Sequence, residues 1–377
     1  MVCLPGKMFP IGGPVTERDI VDREDFILSV KTRLADGQSI VLAGPRRIGK
    51  TSLAHEILRR LKKEGFYTAS VDFFRLSNKL EFATAMIDAC LENRTGIKKT
   101  LEILKDHARA VVGAARLAVK IEDLELNFGF FHDKQDENAV LNRALELPET
   151  LADRDDKQMV VLFDEFQDAA CIAVEDIYKK MRSYFQHHKK VSYLFLGSKE
   201  GMMKTLFGNR REAFYRFAVI LPIPPIPEEA WVDYITKKFT GQNIEADDDA
   251  VREIIKKTGG HPQNTMLVCS EIYYALLEAE KSYITPGVMR TGFDRAVIRL
   301  SQAYDETLDE LGQRPYVRQI LKRIAGGNKI YVQKANPNEI KRAVDYLIEK
   351  GVIEKLNRGS YRFVEPLFRE YLLREFL

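Results

Sequence analysis

The sequence has few of the residues that brace a fold from outside. Its four cysteines, Cys3, Cys90, Cys171 and Cys269, are scattered over 377 residues with no C-x-x-C pair. That spacing argues against a structural zinc site or a disulfide framework and fits a reducing cytoplasm. No apolar run reaches the ~18–20 residues that a membrane span needs. The opening stretch MVCLPGKMFPIGG has no charged segment followed by an apolar one, so no signal peptide is expected. There is no internal repeat and no low-complexity tract. The net charge of +3 is too small to imply a polyanionic partner by itself. The length suggests two or three domains, because single cores rarely grow past roughly 250–300 residues.

What is present is an alternation of short apolar runs and amphipathic stretches. Residues 24–35 have helical apolar spacing. QSIVLAG (38–44) reads as a buried strand entering a glycine turn. Residues 49–63 read as a helix with Leu53, Ile57, Leu58 and Leu61 on one face. A strand at 67–73 and a helix at 79–93 follow. This order predicts an α/β fold, a parallel β-sheet flanked by helices. Residues 95–135 interrupt it as an insertion of unassigned role: Ile97 to Lys120 reads as helical, and VKIEDLELNFGFF (119–131) as a hairpin or edge strand. The core resumes with a helix at 136–153, a strand at 159–163, a helix at 173–187, and strands at 192–197 and 218–222. The prolines of PIPPIPEE then end the sheet pattern. Helices are expected at 228–239, 247–257, 263–280 and 286–310. The expected domains are a core (1–225), a helical lid domain (226–312) and a C-terminal winged-helix domain (313–377).

The strongest motif is G-P-R-R-I-G-K-T, Gly44 to Thr51, which fits G-x-x-x-x-G-K-[ST] at every fixed position. Gly44 and Gly49 let backbone amides turn inward onto phosphates. The helix that starts near Gly49 aims free N–H groups and its positive dipole end at the same anion. Lys50 reaches the β- and γ-phosphates as a point charge, and Thr51 offers a hydroxyl to Mg²⁺. The candidate nucleotide contacts are Gly44, Pro45, Arg46, Arg47, Ile48, Gly49, Lys50, Thr51 and Ser52, with ATP and Mg²⁺ as the expected ligands. The second motif, MVVLFDEFQ, places Asp164 and Glu165 at the end of a buried strand. An acid at a strand end is common in parallel sheets, but after a phosphate-binding loop it gains meaning. Asp164 would orient water on Mg²⁺. Glu165 either activates the attacking water or only caps the next helix.

With both motifs placed, the chain resembles the archaeal-type ATPases of the STAND branch of P-loop NTPases, which are relatives of AAA+ proteins. V-D-R-E-D-F-I (Val21 to Ile27) is similar to that family's G-R-E box, with Asp22 in the glycine's place. L-G-S-K-E-G-M-M (Leu196 to Met203) is similar to its G-S segment. The resemblance implies that Ser198 senses the γ-phosphate, and the bland alternative is a cap on the helix near Glu200. In F-Y-R-F-A-V-I-L-P-I-P (Phe214 to Pro224), Arg216 matches the family arginine and Tyr215 stands where glycine is usual. The resemblance implies a phosphate-facing Arg216, acting in cis in a monomer or in trans in a ring; the oligomeric state stays open. G-G-H-P-Q (Gly259 to Gln263) resembles the G-x-P turn, which places Pro262 near the base and β-phosphate. His261 reads as structural, as do His187 and His188 at a helix end. The implied activity is ATP hydrolysis that drives a regulatory switch, with lid and winged helix closing on nucleotide and passing the change to a protein partner.

Residues 315–377 read as helix, turn, helix, hairpin and helix, with the second helix of the winged helix short, somewhere in I-Y-V-Q-K-A. The segment carries thirteen Lys and Arg against seven Asp and Glu, about +6, which leaves about −3 for the remainder. That asymmetry permits a second reading: a DNA-binding protein, initiator-like or a transcription regulator, in which ATP is mainly a structural switch. Lys341, Arg342 and Arg358 are the candidate contacts, although Glu339, Asp345 and Glu349 share their helix. The tail V-E-P-L-F-R-E-Y-L resembles the family's D-P tail, with Glu365 in the aspartate's place. If the chain binds duplex DNA, titration yields a sequence-independent affinity that falls steeply with salt. No binding at low salt leaves only the regulatory ATPase.

Overall fold

The computed structural model describes residues 8–93, 116–121, 124–129, 134–172, 176–312, 314–330, 336–357 and 359–376. The chain forms two compact units. One comprises Asp25–Ala43 and Leu53–Ile223; the other comprises Met1–Glu24, Gly44–Ser52 and Pro224–Leu377.

The first unit is built on five parallel strands: β1 (Ile40–Ala43), β2 (Tyr67–Asp72), β5 (Met159–Asp164), β6 (Val191–Leu196) and β7 (Val219–Pro222), in the order β2-β5-β6-β1-β7. The apolar runs at β1, β5 and β6 are continuous because these inner strands are buried on both faces, whereas edge strand β7 is partly exposed. Helices α1 (Glu24–Ala35), α2 (Lys50–Lys63), α3 (Lys79–Leu91), α4 (Lys134–Arg154), α5 (Ile177–Phe185) and α6 (Glu200–Gly208) accompany the sheet. An aromatic layer fills one side: Phe163 stacks on Tyr193 at 5.9 Å, and Phe166 packs on Phe195 at 4.7 Å and Phe214 at 5.2 Å. Such pairs contribute ~0.5–1.5 kcal/mol each beyond their buried area. They fix the backbone on both sides of Asp164 and Glu165.

The helical reading of Ile97 to Lys120 fails where it can be checked. Residues Arg116–Ile121 form strand β3, which pairs antiparallel with β4 (Leu124–Gly129) from Arg116↔Gly129 to Ile121↔Leu124. The period-two alternation expected from residue 119 therefore begins earlier. Residues 94–115 lie outside the described residues. Helix α5 starts at Ile177 rather than 173, with Asp176 as its cap accepting from the Lys179 N–H.

The second unit holds α7 (Glu228–Thr240), α8 (Asp248–Thr258), α9 (Pro262–Glu278), α10 (Pro286–Leu311), α11 (Val317–Ala325), α12 (Pro337–Glu349), the hairpin β8 (Ile353–Asn357) and β9 (Ser360–Phe363), and α13 (Pro366–Phe376). The expected short second helix in I-Y-V-Q-K-A falls at 330–335, of which 331–335 lie outside the described residues, as does Arg358. The single tryptophan, Trp231, is fully buried and donates from Nε1 to the Gly260 carbonyl at 3.1 Å. Gly259 and Gly260 are both left-handed, φ +58° and +63°, which lets the chain reverse between α8 and α9. No helix among the described residues is long and apolar enough to cross a membrane.

Helices α9 and α10 pack closely through Gly292. A Cβ there would lie 2.4 Å from Ile272 Cγ1 and 2.8 Å from the Ile272 backbone nitrogen. Alanine gains ~1 kcal/mol of helix propensity over glycine. A backbone clash cannot be relieved by side-chain rotation, so overpacking prevails. Gly292→Ala should cost about 1–2 kcal/mol net, read as a lowered denaturation midpoint. An unchanged or raised midpoint would contradict this packing.

Candidate active site

Strand β1 delivers the phosphate loop. Its last residue, Ala43, is buried, and the loop runs from Gly44 until α2 begins at Lys50. The turn needs two left-handed residues, Arg47 at φ +66° and Gly49 at φ +93°. Lys50 is only 7 % exposed. Its ammonium donates to the carbonyl oxygens of Gly44 at 3.0 Å and Pro45 at 2.6 Å. The loop thus folds round its own cation, and the anion expected there would compete with these two carbonyls for the same protons. Ser52 Oγ accepts the Val15 N–H at 2.9 Å, so its hydroxyl serves the N-terminal segment.

Arg47 leaves the loop toward the C-terminal segment. Its Nη1 lies 3.1 and 3.0 Å from the two carboxylate oxygens of Glu365, which also accepts from Tyr304 Oη at 3.4 Å. Burial, with Glu365 beside it, raises the Tyr304 phenol above its ordinary range, so this oxygen remains a donor. In the same unit, Pro262 takes the first turn of α9, and His261 Nδ1 accepts from the Asn264 N–H as the cap. Burial pushes the His261 imidazole below its usual pKa, which suits a neutral acceptor. Asn264 is fully buried, and neither atom of its side-chain amide has a hydrogen-bond partner among the described residues.

The carboxylates belong to the sheet unit. Asp164 closes β5, and its Oδ1 accepts the Glu165 N–H at 2.9 Å. Glu165 itself is left-handed at φ 48°, ψ 44°, a conformation that costs a non-glycine residue ~1–2 kcal/mol. Glu165 Oε2 accepts from Gln167 Nε2 at 2.5 Å and from the Ser198 N–H at 3.0 Å. Glu165 and Ser198 are therefore brought together. Ser198 does not cap α6; the cap position is Lys199, and no side chain bonds there. Glu165 occupies the cap position of the short turn Phe166–Cys171, again without a side-chain cap bond, so capping does not account for its carboxylate.

Arg216 lies elsewhere. It is left-handed at φ 55°, its N–H donates to the Phe207 carbonyl, and its guanidinium stands 5.3 Å from the Tyr215 ring. With Gln38, Ser39, His188, Val191 and Phe217 it lines a cavity of about 430 Å³ where β1, β6 and β7 begin. Arg216 precedes β7 and Asp164 ends β5, so in this parallel sheet the two residues fall at opposite ends of the strands, about 13 Å apart along the strand direction for a four-residue strand. His188, in the same cavity, pairs through Nδ1 with Tyr193 Oη at 2.6 Å, and burial lowers its pKa to about 4. Its role is structural.

The sequence reading missed Gln167, Glu365 and Tyr304. Gln167 lies two residues past Glu165 in a motif already singled out, so an amide there was a visible signal. The Arg47–Glu365 pair spans 318 positions and leaves no local trace.

Residues 20–268 match the family model for the ATPase domain found predominantly in Archaea. The chain belongs to that family. It is an ATPase with a P-loop NTPase fold: a five-stranded parallel sheet flanked by helices, with a helical C-terminal region. In fold it is similar to the Walker-type ATPase PABY2304 of Pyrococcus abyssi, at 18% identity and TM-score 0.68, covering 97% of this chain and 99% of that one. It is similar also to the ORC2 protein of Aeropyrum pernix, solved as ADPNP–ADP complexes, at 14% identity and TM-score 0.57, covering 98% and 96%. No curated protein matches the chain.

Removing the buried cation should weaken nucleotide binding, while removing the carboxylate should not. Lys50→Ala is expected to weaken ATP binding by about 10- to 100-fold, from a charge-assisted contact of ~1.5–3 kcal/mol. Glu165→Gln is expected to bind ATP like the wild type and turn it over about 100-fold more slowly or worse. Calorimetric titration and phosphate release measure the two. Unaltered binding and turnover in both variants would refute the assignment.

Proposed function

We propose that this ATPase is a nucleotide-dependent regulatory switch of the STAND type, whose C-terminal segment, read as a winged helix, senses the phosphate loop through Arg47 and Glu365. The ion pair joining these two residues carries the proposal. Lys50 binds the β- and γ-phosphates beside the loop amides. Thr51 and Asp164 supply the hard oxygen donors that suit Mg²⁺, and the donor set fits that ion. Mg²⁺ would neutralise charge on the phosphates. Glu165 takes the proton of the attacking water or orients it, and Ser198 reads the γ-phosphate. Arg216, at the far edge of its own sheet, fits a trans role on a second copy. The turn at Pro262 receives the base. The division into core, lid and winged-helix domains at residues 225 and 312 belongs to the same reading.

The size of the central pair decides what kind of switch this is. Arg47 is 39% exposed and Glu365 19%, and such pairs contribute at most ~0–1 kcal/mol. The contact is a bias and not a lock. A γ-phosphate draws Arg47 away from Glu365, and the C-terminal segment loses one tether. The DNA-binding reading has Lys341 and Arg342 solvent-exposed on α12, but Glu339, Asp345 and Glu349 are exposed beside them. No observation of comparable specificity favours it.

Glu365→Gln frees Arg47 and removes one negative charge near the loop. ATP affinity should rise about two- to fivefold, and residues 315–376 should become more protease-sensitive without nucleotide. Unchanged affinity together with unchanged cleavage would remove the coupling.

A further inference from the structure

We infer that Gln167 is a positioning residue for the hydrolytic carboxylate, and that Gly197 is glycine in order to seat it. This rests on the reading of Glu165 as the group that handles the attacking water. Gln167 is 1% exposed, and a buried primary amide is costly unless it is used. Its Nε2 donates to Glu165 Oε2, the same oxygen that accepts the Ser198 N–H. Two donors on one oxygen fix both the position and the rotation of the carboxylate.

The backbone that carries the amide is itself held. Tyr178 Oη donates to the main-chain carbonyl of Gln167 at 2.9 Å and lies 3.3 Å from that of Phe166. Phe166 is wedged among Phe195, Phe207 and Phe214. On the other side, a Cβ at residue 197 would lie 2.5 Å from Gln167 Oε1 and 2.5 Å from Met203 Cγ and Sδ. The side chain therefore fits only over a glycine. The Gly197–Ser198 pair acquires a physical reason in this chain: the first residue makes room for the amide, and the second lends its backbone N–H to the same carboxylate oxygen. Gln167 Oε1 has no hydrogen-bond partner among the described residues. The amide is thus oriented by its donor side, toward Glu165, which a purely structural glutamine would not need. Preorganised donors of this kind remove reorganisation from the chemical step, so their loss appears in turnover more than in binding.

The test compares the full-length wild type with Gln167→Met, Glu165→Gln and the double variant, by steady-state ATP turnover and by nucleotide titration. Methionine keeps the volume and removes the donor. Gln167→Met should lower kcat on the order of tenfold and leave the ATP Kd within about twofold. In the Glu165→Gln background it should cost nothing further, because the group it positions is already gone. Gly197→Ala, which must displace the amide, should reproduce the kcat loss with binding retained, and it serves if Gln167→Met does not fold. Unchanged or increased kcat in these variants overturns the inference, as does an equal further loss in the double variant. Wild-type turnover in Glu165→Gln instead removes the underlying assignment of the carboxylate.

Discussion

The ammonium of Lys50 sits almost out of solvent on the carbonyl oxygens of Gly44 and Pro45. The rest of the phosphate loop is organised by the need to keep that charge paired. A buried cation without partners costs several kcal/mol. Two backbone dipoles of the loop are among its partners. The loop is therefore stable with its own oxygens on the lysine and would be more stable with phosphate oxygens there. Arg47, in the same turn, repeats the arrangement one layer out with Glu365 in place of a carbonyl.

The sheet imposes the second constraint. Strands buried on both faces admit polar chemistry only where they begin or end. Asp164 and Glu165 take one edge, and Arg216 with His188 takes the other. Four of the nine non-glycine residues with positive φ among the described residues fall at motif positions. Asp22, Arg47, Glu165 and Arg216 all have positive φ. Asp22, which stands where the resembled family has glycine, keeps a glycine-like turn, since aspartate tolerates the left-handed region better than most residues. Such conformations persist where surrounding packing over-determines them. Around Glu165 that packing is the aromatic layer behind Phe166.

The fold was legible in the sequence wherever a local pattern determined it. Buried parallel strands read as unbroken apolar runs, and the helices after residue 227 carried clean periodicity bounded by Gly259–Gly260, Pro262 and Pro286. Residues 116–120 were misread as helix because R-L-A-V-K-I contains too few residues to separate the two periods. The turn between β1 and α2 and the acidic end of β5 were legible as places in the fold, because short motifs fix their neighbours along the chain. The position of Arg216 was not, since a motif gives an order along the chain and not the edge of the sheet on which a residue falls. The pairs Arg47–Glu365 and Gln167–Glu165 depend on how the backbone turns and left no signal that periodicity could detect.

Trp231 offers a practical consequence. Its indole nitrogen is bonded to the carbonyl of Gly260, two residues from Pro262, and the chain has no other indole. Indole emission from this protein, excited beyond the tyrosine band, therefore comes with a single address. Any rearrangement of that turn, on ligand capture or release, changes the polarity around one chromophore and can be followed in real time without attaching a dye.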